Sequence, residues 1–91
     1  MRLEVTTFDT GCTDKEQATK VLEEAAEVFG AWQQLDRADS IGNYLTICRL
    51  ALGSELADVI TAACNLAERY GIDMESEMQY CQMRNHMRGR C

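Results

Sequence analysis

Apolar positions along this chain recur at helical spacing. From about residue 14 to 36, Ala18, Val21, Leu22, Ala25, Phe29 and Trp32 follow the i, i+3, i+4, i+7 pattern of one face of an amphipathic helix. Thr13 or Asp14 can cap its start, with Glu16 or Gln17 three residues on as the capping-box partner. Gly30 falls inside the run, which predicts either a bend or a close packing partner there. Beyond the polar break Asp36-Arg37-Ala38-Asp39-Ser40, where Asp39 or Ser40 can act as cap, a second segment runs through Ile41, Tyr44, Leu45, Ile47, Cys48 and Leu50 to Leu52. Gly53-Ser54 supplies a hinge or a close packing point before a third segment, about 54 to 70, with Leu56, Val59, Ile60, Ala63, Ala67 and Tyr70 expected inside. Gly71 stands where a left-handed residue commonly ends a helix, and Asp73 caps a last one with a soft apolar stripe of Met74, Met78, Cys81 and Met87.

Val5-Thr6-Thr7-Phe8 is too short and isolated to found a sheet, so residues 1–13 are read as an arm that packs over a helix or a partner. Residues 14–91 form one helical domain. The expected fold class is all-α, about four helices with short connections in a bundle-like arrangement. Helices this short, with apolar or small residues on more than one face, bury little alone, so a homo-oligomer, dimer or tetramer, is expected. Trp32, Tyr44 and Tyr70 are assigned to core or dimer packing, although an aromatic face can also stack on a base.

Composition narrows the function classes. The 91 residues carry 15 acids and 9 bases, a formal charge of −6, whereas a general nucleic-acid binder needs clustered Lys and Arg. The exception is the tail, where Arg84, Arg88 and Arg90 form a small basic cluster suited to a small anion. No apolar run approaches the roughly 20 residues of a membrane span, and the start has no signal-peptide core, so a soluble cytoplasmic protein is expected. The five cysteines, Cys12, Cys48, Cys64, Cys81 and Cys91, are odd in number and lack C-x-x-C spacing, which argues against a disulfide framework or a zinc site. His86 has no evident partner for nucleophilic chemistry and is assigned to the surface.

Two acid pairs carry the candidate chemistry. Glu24 and Glu27, and likewise Glu55 and Asp58, are three residues apart and project from one side of their helices. If those helices run antiparallel, four carboxylates can meet in one groove, and such charges repel strongly unless a cation sits among them. The cation is read as Mg²⁺, holding a phosphate chain. Solvated faces are the commoner origin of such pairs, but here Ala31 and Ala62 stand beside them instead of Lys or Arg, and no base follows at i+4. Asn65, seven residues after Asp58, can orient a carboxylate or contact a ligand.

Glu24-x-x-Glu27, then Glu55-x-x-Asp58 within Glu-Leu-Ala-Asp-Val, then Asn65-Leu66-Ala67, Tyr70-Gly71-Ile72-Asp73 and a tail with Asn85-x-x-Arg88, resembles the MazG-like all-α nucleoside triphosphate pyrophosphohydrolases over about residues 20 to 90. The resemblance implies Mg²⁺-dependent cleavage of a nucleoside triphosphate to the monophosphate and pyrophosphate. It implies Glu24, Glu27, Glu55 and Asp58 as metal ligands, Glu23 or Glu24 as proton acceptor, and Asn65, Asn85, Arg84, Arg88 and Arg90 as substrate contacts. Many relatives carry Lys four residues before the Asn, where this chain has Cys81. That departure keeps open a non-catalytic helical dimerisation or regulatory module that retains the fold. A third possibility is an acidic bundle that only binds a partner protein.

Overall fold

The computed structural model describes residues 1–38 and 42–89. These residues form three helices, α1 Asp14–Arg37, α2 Asn43–Arg69 and α3 Met74–Arg88, and among the described residues there is no strand. The fold is therefore all-α, but with three helices where about four were expected. The second and third predicted segments are one helix. Gly53-Ser54 lies in the unbroken middle of α2, because a single glycine costs a helix interior only about 1 kcal/mol.

Local chemistry sets the ends. Thr13 is the N-cap of α1 in a complete capping box: its hydroxyl accepts from Glu16 N–H at 3.1 Å, and the Glu16 carboxylate accepts from Thr13 N–H at 3.2 Å. Both bonds hold the Glu16 carboxyl below its ordinary range. Asp73 caps α3 in the same spirit, accepting from the Ser76 hydroxyl at 2.9 Å and from the N–H groups of Ser76 and Glu75. Gly42, at φ 84°, precedes α2 without a side-chain cap, and the alternative caps Asp39 and Ser40 lie outside the described residues.

Helices α1 and α2 pack as an antiparallel hairpin, the start of α1 against the end of α2: Gln17 reaches the Ala62 carbonyl and Glu24 lies beside Glu55 and Asp58. The seam of α1 that faces α2 is not the apolar one. Gln17, Val21, Glu24, Val28, Ala31 and Leu35 are buried or half-buried, at alternating spacings of four and three residues. Leu22, Phe29 and Trp32, expected in the core, remain exposed, with Phe29 and Trp32 stacked on each other at 5.7 Å. On α2 the inner seam is Leu45, Cys48, Leu52, Glu55, Val59, Ala62, Leu66 and Arg69, while Leu56, Ile60 and Tyr70 are exposed. A two-helix layer has one interior. Each helix carries two seams at heptad-like spacing, and only one of them can face the other helix.

Helix α3 has no buried residue and barely touches the other two. Nothing lies within 4 Å of a Cβ placed at Gly30 or Gly53, so neither glycine marks a close approach within the chain. Cys12, Cys48, Cys64 and Cys81 are free thiols. No described helix is long and apolar enough to cross a membrane.

Candidate functional site

The antiparallel hairpin brings acids from both helices together. Glu24, Glu55 and Asp58 each offer a carboxylate oxygen, and these oxygens lie within 4.8 Å of one another. Glu24 is about nine-tenths buried, Glu55 is half-buried and Asp58 is exposed, so the cluster grades from the helix interface out to water. In two of these residues one carboxylate oxygen, Glu24 Oε2 and Glu55 Oε2, is buried without a hydrogen-bond partner. An orphaned buried carboxylate oxygen is costly, and a cation is the partner that satisfies several at once.

A basic residue does stand beside the cluster, at i−4 where only i+4 offered none. Lys20 Nζ lies 3.3 Å from Glu24 Oε1 and leaves Oε2 free. Lys20, Glu24, Asp58 and Asn65 line one open cleft of about 270 Å³, with Phe8 and Thr10 of the arm on its wall. Glu27 is exposed and does not join the three-acid group among the described residues. Glu23 is also exposed and borders a neighbouring groove with Cys12, Lys15, Glu16 and Thr19.

Asn65 is buried, and its amide oxygen accepts from Phe8 N–H at 3.0 Å, so that oxygen holds the arm. Around it lies a polar latch that the linear reading missed. Gln17, the most deeply buried side chain among the described residues, donates to the Ala62 carbonyl at 3.2 Å and accepts from the Thr10 hydroxyl at 2.8 Å and the Cys12 thiol at 3.4 Å. Arg69 donates to Asp14 at 2.9 Å, to Thr10 Oγ1 at 3.2 Å and to the Cys12 carbonyl. Its hydrogen bond to Asp14 is the main cause that raises its already high pKa. The only linear trace of this latch is a Gln at a seam position where an apolar residue is usual.

Asn85, Arg84 and Arg88 sit on α3, and none of them lines the acid cleft. Asn85 Nδ2 instead lies 3.6 Å from Cys81 Sγ, the residue in the position where a Lys was expected. Arg90 lies outside the described residues. Comparison of the chain with protein-family models, curated proteins and solved structures finds no match in any of the three.

Proposed function

We propose that the chain is a Mg²⁺-dependent nucleoside triphosphate pyrophosphohydrolase of MazG-like type, releasing a nucleoside monophosphate and pyrophosphate. One observation carries this reading: three acids from two helices offer oxygens within 4.8 Å of one another, and two of those residues, Glu24 and Glu55, each have a buried carboxylate oxygen without a partner. The donor set fits the ion, because Mg²⁺ takes carboxylate and water oxygens and leaves positions for substrate phosphates. When bound, the ion neutralises phosphate charge and lowers the pKa of a water.

In this scheme Glu24, Glu55 and Asp58 hold the ion, and Glu27 joins them after a change of rotamer. Lys20 Nζ, at the same cleft, meets a phosphate oxygen and takes the part that Cys81 cannot. Of the two candidate proton acceptors, Glu24 borders the cleft and Glu23 does not. Asn65 positions the cleft wall through the arm, while Asn85, Arg84 and Arg88 contact substrate only if α3 of a second copy delivers them, and Arg90 stays a substrate contact on the resemblance alone.

A second copy has physical support. The chain exposes 7516 Å², whereas a folded monomer of 10.3 kDa exposes about 5,400 Å². Its radius of gyration is 15.7 Å against about 12 Å for a compact chain of this length. The excess surface is ample for an interface of the standard size, roughly 800 Å² per partner, which supports a homodimer or homotetramer.

Turnover of a panel of nucleoside triphosphates with Mg²⁺ tests the reading. Pyrophosphate release that disappears in Glu55→Gln and Asp58→Asn supports it; no turnover and no Mg²⁺ binding rejects it. Cys81 beside Asn85, with α3 away from the cleft, favours the second reading, a non-catalytic module. That reading expects calorimetric nucleotide binding without hydrolysis.

A further inference from the structure

The arm is held in an unusual way. Residues 8–12 have no regular structure, and ordering them costs roughly 1–2 kcal/mol of backbone entropy per residue. Arms of this kind are ordinarily tied down by burying their apolar side chains, but Phe8 remains 60% exposed. What fixes the segment is polar: the buried Gln17 and Asn65 together with Arg69 bind Phe8 N–H, Thr10 Oγ1 and Cys12. Those anchors leave Phe8 largely uncovered, and the residue borders the cleft that holds Lys20, Glu24 and Asp58.

We propose that Phe8 is the base platform of this cleft, an aromatic face on which the nucleobase stacks while the acids and Lys20 engage the phosphates. The proposal rests on the nucleotide pyrophosphohydrolase reading and adds to it a specificity-determining residue. The spacing suits the ligand. Asn65, which grips Phe8, follows Asp58 by seven residues, a helical rise of about 10 Å, of the order that a ribose with its phosphates spans. An aromatic platform is tolerant of base identity, because every base presents a π-face, so discrimination among bases is weak and the preference for a nucleotide over bare polyphosphate is strong. Gln17 and Arg69 are positioning residues: they hold the arm and touch no substrate.

The test compares a nucleoside triphosphate with inorganic tripolyphosphate, which offers the same kind of phosphate chain and no base. In Phe8→Ala the KM for nucleoside triphosphates rises roughly tenfold or more, kcat changes less than about twofold, and competitive inhibition by tripolyphosphate is unaltered. Phe8→Tyr restores the wild-type KM. Gln17→Ala, which loosens the arm without removing the ring, raises the same KM and leaves tripolyphosphate inhibition unchanged. An unchanged KM in Phe8→Ala, with wild-type turnover intact, overturns the platform and spares the hydrolase. Equal weakening of triphosphate and tripolyphosphate, or a fall in oligomeric mass, assigns Phe8 to packing and also overturns it. Wild-type protein that turns over no nucleotide overturns both.

Discussion

Replacing Glu24 by Gln removes one charge from the acid cluster while keeping the side chain's shape. Glu24 faces two like charges at no more than 4.8 Å, each repelling by at least about 0.9 kcal/mol in water-like surroundings and at least about 3.5 kcal/mol at an effective dielectric constant of about 20. It also attracts Lys20 at 3.3 Å, worth about 1.3 to 5 kcal/mol over the same range. Two repulsions against one attraction leave a net relief on the order of 1 kcal/mol in the Gln variant. For a chain of this size that raises Tm by roughly 4–8 °C without divalent metal, and salt narrows the gap because the cluster opens to solvent. If the cluster holds Mg²⁺ as proposed, the ion reverses the order. At a hundred times Kd it stabilises the wild type by about 2.7 kcal/mol, whereas the variant has lost a ligand and gains much less. Thermal melts of both proteins across a Mg²⁺ titration decide the matter. Equal shifts in the two, no shift in either, or a metal-free variant that melts below the wild type would refute the reasoning.

Three further outcomes follow from the fold. Gly30→Ala and Gly53→Ala each raise stability by roughly 0.5–1 kcal/mol in denaturant melts, since both glycines are helical and have open space around them; a loss of oligomeric mass in either variant would instead place a neighbouring copy against that glycine. Thr13→Ala breaks the capping box and costs about 1 kcal/mol, again by denaturant melts; no change in midpoint would mean that the arm, not the cap, sets the start of α1. The Asp73 carboxyl is held below its ordinary range by the Ser76 hydroxyl and N–H and by Glu75 N–H. Its folded pKa is therefore lower than its unfolded one, so its contribution to α3 is complete above the ordinary carboxylate range and is lost as pH falls through the depressed value. Amide shifts of Glu75 and Ser76 follow that titration in the wild type and are flat in Asp73→Asn; the same titration in both proteins would assign it to another carboxylate.

Much of this architecture is written in local chemistry. Helix type follows from i, i+3, i+4 periodicity, the starts of α1 and α3 from Thr13 and Asp73 as caps, and the end of α2 from Gly71, because each depends on residues within one or two turns. The i, i+3 spacing of Glu55 and Asp58 likewise places both on one side of α2 before any tertiary contact forms. Which side of each helix faces the other is a different matter. Periodicity identifies seams but does not rank them, and α1 carries an apolar seam through Leu22 and Phe29 beside a mixed one through Gln17 and Glu24. The hairpin buries the mixed seam. That choice brings Glu24 to Glu55 and Asp58, seats Gln17 under the arm, and leaves the apolar seam facing outward. Gln17 meets Thr10 and Cys12 only five to seven residues away, but it also reaches Ala62 across 45 positions, and Asn65 and Arg69 hold residues 8–12 across 57 to 59. Such long-range contacts form only after two helices have docked, so their physical cause lies in the tertiary structure and not in any local stretch of the chain.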